Sequence, residues 1–72
     1  MSNVTINTPY ITLGQLIKLV GAVDTGGHVK WFLAEHEIKV NGENENRRGK
    51  KLYPGDLIMI EGMGQFQISG DS

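Results

Sequence analysis

The sequence predicts an α+β fold in which two short helices pack on one side of a small, mainly antiparallel sheet. Three observations lead there. Residues 13–20 and 29–36 carry apolar side chains at helical spacing. Ile38 and Val40 alternate about Lys39, and Phe66 and Ile68 about Gln67, as half-buried strands do. The turn signals Asn41-Gly42, Pro54-Gly55-Asp56 and Gly62-Met63-Gly64 separate the apolar runs of the second half. The predicted order is strand, helix, helix, then three or four strands.

The elements follow in turn. Val4 and Ile6 alternate with Thr5 as a short edge strand, which Pro9 ends. Thr12 and Gln15 have the spacing of a capping box, and Ile11 and Leu16 that of a hydrophobic staple, so helix one starts there. Leu13, Leu16, Ile17 and Val20 form its apolar stripe, Lys18 points away from it, and Gly21 ends it. Asp24 and Thr25 are good caps for a second helix whose first turn holds two poor helix formers, Gly26 and Gly27. We read these glycines as close packing against helix one, in preference to a phosphate site, because no Lys-Ser or Lys-Thr follows them. Val29, Phe32, Leu33 and His36 make the second stripe, and Trp31 falls on the far side of it. That tryptophan needs either cover from a terminal segment or a stacking partner. After the Asn41-Gly42 hairpin, residues 43–46 are too polar to be buried. Tyr53 to Asp56 fits a type II turn. The unbroken apolar run Leu57–Ile60 reads as a central strand buried on both faces. Phe66 and Ile68 mark a closing strand before a polar tail.

Composition bounds the rest. The 72 residues, read as one domain over 1–72, bury only roughly 60% of the unfolded surface at this size. There is no cysteine, so neither disulfide nor thiolate metal site is available. No apolar window of about 18 residues exists to span a bilayer, and the N-terminus lacks the pattern of a secretory signal. The expectation is a cytoplasmic monomer with no membrane contact. Catalysis leaves few traces: the serines are Ser2, Ser69 and Ser72, near the ends, and Glu35 with Glu37 reads as a solvated edge. His28 and His36 are eight apart, about two helical turns, too far to share a metal. His36 reads as a helix-end residue with a satisfied ring and His28 as an outward residue able to touch an anion. The chain is therefore expected to be non-catalytic, without cofactor or metal.

Charge is the strongest functional signal. The net charge is −1, which argues against indiscriminate coating of nucleic acid, yet four of the seven basic residues are Arg47, Arg48, Lys50 and Lys51, with no acid among them. Such a run is more often a solvated loop than a site.

The stretch TGGHVKWFLAEHEIKVNGENENRRGKKLYPGD, with its I-K-V-N-G and Y-P-G-D-L-I-M-I segments, resembles the alpha-L RNA-binding motif named for ribosomal small-subunit protein S-four. The likeness covers about residues 11–61 and extends to the stand-alone bacterial proteins of the YaaA and YbcJ types. It implies two helices on a small sheet and a module that recognises structured RNA, ribosomal or transfer. It also implies an RNA surface formed by the helices and the segment after the hairpin. The positions able to inherit that role are Lys18, His28, Lys30, Asn41, Arg47, Arg48, Lys50 and Lys51, with Asn44 a further candidate for sugar hydroxyls. Where the family usually carries arginines on helix two, this chain has Gly26, Lys30 and Ala34, so a composite site shared with a ribosomal or other protein is also implied. The competing class is a protein-interaction module of β-grasp-like or scaffold type without RNA binding. A sulfur carrier of that fold needs a terminal Gly-Gly, and this chain ends Gly70-Asp71-Ser72.

Overall fold

In the computed structural model, which describes residues 2–70, the chain runs β1 (Ser2–Ile6), β2 (Ile11–Thr12), α1 (Leu13–Leu19), α2 (Gly26–Glu35), β3 (Ile38–Val40), β4 (Glu43–Asn44), β5 (Lys51–Leu52), β6 (Leu57–Ile60) and β7 (Gly64–Gly70). Five strands form one sheet in the order β1-β7-β6-β3-β4, while β2 and β5 form a separate two-stranded ladder. Every pairing is antiparallel except that of β1 with β7. The α+β expectation holds. The polar tail expected at Asp71 and Ser72 lies outside the described residues.

Helix α1 starts where its local chemistry dictates. Thr12 accepts the Gln15 amide at 3.2 Å and the Gln15 side chain accepts the Thr12 amide at 2.8 Å, which completes the capping box. Leu13, Leu16 and Ile17 are fully buried, and Gly21, at φ +80°, turns the chain out of the helix. Helix α2 is different. Thr25 sits at its N-cap without a side-chain cap bond, and only Val29 and Leu33 are buried.

The core lies between the helices and one face of the sheet, where Ile38, Val40, Ile58, Ile60, Phe66 and Ile68 meet the α1 and α2 stripes. Asn41 and Gly42 both take positive φ, 53° and 86°, so the β3–β4 hairpin turns in two residues as its sequence demands.

Two expectations are corrected, and one of the two alternatives for Trp31 is removed. Strand β6 is central in order but buried on one face only: Ile58 and Ile60 point inward, whereas Leu57 is 40% exposed and Met59 half-buried. A four-residue apolar run has no period, and the helices lie on one side alone. The glycines opening α2 do not pack against α1, because a Cβ at Gly26 would meet nothing within 4 Å and one at Gly27 only the Thr25 hydroxyl at 3.8 Å. The close approach is made by Gly14 instead. Among the described residues no terminal segment covers Trp31; β1 is spent on β7, and the indole is 66% exposed.

Candidate nucleic-acid interface

The basic segment is seated by backbone hydrogen bonds across the start of α1. The first amides of a helix have no partner within it, and here the segment supplies them. Leu13 N–H donates to the Lys50 carbonyl at 2.8 Å and Gly14 N–H to the Arg48 carbonyl at 2.9 Å. Lys50 N–H closes a turn on the Arg47 carbonyl at 3.1 Å, and β5 then pairs with β2. The α1 amides are thus occupied by protein carbonyls.

Gly14 brings three elements to one point. A Cβ placed on it would lie 3.3 Å from the Arg48 carbonyl oxygen, 3.5 Å from Arg48 Cβ and 3.5 Å from Val29 Cγ1 of α2. Lys18 stands one turn further along α1 and is exposed. Lys30 follows Val29, and its direction can be read from its neighbours. Leu33 lines a hollow with Asn44, Glu45 and Asn46, while His36 stacks on Phe32 at 4.3 Å and sets its Nδ1 3.6 Å from Glu61. At 100° per residue Lys30 falls on the Leu33 flank of α2 and His28 on the Phe32 flank. His36 is at the helix end, as its spacing suggested, with its ring stacked on Phe32.

The other residues of the loop, Arg47, Gly49, Lys50 and Lys51, line a shallow hollow of their own with Tyr53. Arg47 is also bound within the chain: its Nε and Nη2 donate to the Glu45 carboxylate at 2.9 and 3.2 Å, and its backbone N–H donates to the same group at 3.1 Å. Hydrogen bonding from Arg47 outweighs desolvation and lowers the Glu45 carboxyl to a pKa of about 2, while Glu45 raises that of Arg47. The four-charge run is thus not four equivalent free cations.

Asn41 holds the fold together. Its Oδ1 accepts Leu57 N–H at 2.9 Å, its Nδ2 donates to Asp56 at 3.1 Å, and its backbone N–H reaches the Leu57 carbonyl at 2.7 Å. Asp56 in turn accepts Tyr53 N–H at 2.8 Å across the Pro54-Gly55 turn. The N-G and P-G-D signals are therefore two halves of one clasp. Asn44 is exposed on the β4 edge.

Two residues escaped the sequence reading as surface groups. Tyr10 and Tyr53 continue the β2–β5 register beyond Ile11↔Leu52, their ring centroids are 5.7 Å apart, and Lys51 Nζ lies 5.0 Å above the Tyr10 ring. The usable signal was the alternation Lys51-Leu52-Tyr53, which sets the lysine and tyrosine on one face with Leu52 buried on the other. Among the described residues no cluster of three or more His, Asp or Glu could hold a metal, and no helix is long and apolar enough to cross a membrane.

Comparison with known proteins identifies the family. A Bacillus subtilis (strain 168) protein named "Probable ribosome maturation protein RlbA" is 55% identical over 65 residues, covering 90% of this chain and 92% of that protein. An Escherichia coli (strain K12) protein named "Putative RNA-binding protein YbcJ" is 33% identical over 54 residues, covering 75% of this chain and 77% of its own. The family description that matches, over residues 4–69, is "S4 domain", a span that takes in most of β1 and β7 as well as residues 11–61. The chain belongs to the S4 domain family.

Proposed function

We propose that this protein is a non-catalytic RNA-binding factor of the cytoplasm that docks structured RNA, specifically ribosomal RNA during ribosome maturation. Its docking surface is Lys18, Lys30 and Arg48 about the α1–α2 junction, continued by Arg47, Lys50 and Lys51 on the loop. The observation that supports this reading is the meeting of Gly14, Val29 and Arg48, which brings the loop against the junction of the two helices that carry Lys18 and Lys30. Arginine suits the phosphate-gripping role because its planar fork meets two oxygens at once, whereas the lysines add point charge. The names of the relatives supply the RNA and the ribosomal process. His28, on the other flank of α2, and Asn41, whose amide is engaged at both ends, fall outside the surface. The uncharged Gly26 and Ala34 leave room for a ribosomal protein to complete the site.

The test is a salt titration of binding to ribosomal RNA fragments. Each phosphate neutralised adds about 0.7–0.9 to the slope of log affinity against log salt, so Lys18→Ala, Lys30→Ala and Arg48→Ala together should lower the slope by about 2 with folding intact. A slope unchanged by the triple variant would reject this surface. Binding indifferent to salt would favour a scaffold that docks protein.

A further inference from the structure

We infer that the β2–β5 face carries a separate subsite for one unpaired nucleotide, with its base stacked on Tyr53 and its phosphates held by Lys50 and Lys51. The inference rests on the RNA-binding reading above and adds to it a preference that a basic surface alone does not confer.

The two tyrosines extend a short ladder, and as cross-strand neighbours they give it side-chain cover. Packing alone does not account for what surrounds them. Tyr53 remains 48% exposed and lines the hollow formed by Arg47, Gly49, Lys50 and Lys51. An accessible aromatic ring ringed by cations is the combination that binds single-stranded nucleic acid, since every base has a π-face and every nucleotide a phosphate. The division of labour follows from the geometry. Tyr10 already has Lys51 over its ring, so Tyr53 is the ring left for a base, with Tyr10 tilted at 50° as its buttress. Lys50, Lys51 and Tyr53 also border a second hollow that contains Glu43, Glu45 and Asp56. Those carboxylates repel phosphate, and Glu45 also neutralises Arg47, so the strand runs on the Gly49 side, where Lys50 and Lys51 supply the charge. A Cβ on Gly49 would meet nothing within 4 Å, which leaves open space at that side of the loop.

The experiment compares two RNA hairpins that differ in one group: a single bulged adenosine in the first, and an abasic bulge with the same phosphates in the second. The wild-type protein should prefer the adenosine. Tyr53→Ala should weaken binding of the adenosine hairpin by about tenfold and leave the abasic one unchanged, while Tyr53→Phe keeps the preference. Tyr10 and Tyr53 are the only tyrosines of the chain, so their ring resonances are readily assigned, and those of Tyr53 should move upfield with the adenosine hairpin alone. Equal loss of both hairpins on Tyr53→Ala, or wild-type binding blind to the base, would overturn the subsite and leave the RNA-binding reading standing. If neither hairpin binds, both readings fall together.

Discussion

The two helices are neighbours in sequence and in space, yet they are built to different standards. Helix α1 has a complete capping box, three fully buried side chains, and two leading amides bonded to the loop above it. Helix α2 has no side-chain cap, opens with two glycines that touch almost nothing, buries only two residues, and presents His28, Lys30 and Trp31 to solvent. The fold accounts for α1 from Leu13 to Ile17, Gln15 through the capping box, and leaves Lys18 and Leu19 outward. It does not account for the outward residues of α2, and side chains that folding does not require are those free to serve recognition.

The sharpest way to break that contrast is truncation. Leu16→Ala should cost about 2–5 kcal/mol in urea denaturation, since it empties a fully buried position, and in so small a domain that is a large share of the total stability. Trp31→Ala, although it removes a larger side chain, should change stability by no more than about 0.5 kcal/mol because the indole is mostly in water. A loss of about 3 kcal/mol at Trp31 would mean that α2 is as tightly integrated as α1.

The caps give a smaller version of the same comparison. Thr12→Ala removes a side-chain acceptor in use and should cost about 1 kcal/mol, whereas Thr25→Ala removes none and should be close to neutral. Equal losses in thermal unfolding would show that Thr25 does cap α2 in solution.

How much of this the sequence discloses depends on how local each cause is. The capping box lies within four residues, and the Asn41-Gly42 and Pro54-Gly55 turns are set by their own backbone preferences, so all of them are legible in advance. What Asn41 does is not, because its partners Asp56 and Leu57 are fifteen and sixteen residues away and reach it only through strand pairing. Strands of two residues, such as β2 and β5, show a period only through a flanking residue, as Lys51-Leu52-Tyr53 does. Glycine illustrates the limit best. Gly26 and Gly27 look like a helix contact, yet the contact is at Gly14, because the crossing point of two helices is a tertiary fact. At the candidate site the cluster of charge was legible. Its division between the Gly14 junction and the Tyr53 hollow, and the engagement of Arg47 by Glu45, were not.

Glycine also supplies the next test. Gly26→Ala adds a methyl in open space at an ordinary helical φ and should stabilise the protein by up to about 1 kcal/mol. The same change at Gly14 presses on the Arg48 carbonyl, which is fixed by the Gly14 amide itself, and should destabilise by about 1 kcal/mol after the gain in helix propensity is counted. Stabilisation at both positions would mean that the loop can move off α1 without cost.

The smallest expected effect concerns the segment joining the two helices, which runs from the Leu33 hollow on α2 to Gly14 on α1 and contains the Glu45–Arg47 pair. Glu45 has its carboxyl lowered from 4.5 to about 2 in the folded protein. A depressed carboxylate contributes stability above its unfolded pKa and loses it as pH falls through the folded value. The contribution of this pair should therefore be complete above about pH 4.5 and gone below about pH 2. It is small, because Arg47 is 72% exposed and water screens the pair. Glu45→Gln should be slightly less stable than the wild type at neutral pH, with the gap closing across that acid window in parallel pH titrations of unfolding. A gap independent of pH would assign Glu45 a role through shape or backbone hydrogen bonding, leaving Arg47 untethered and the joining segment held by its α1 contacts alone.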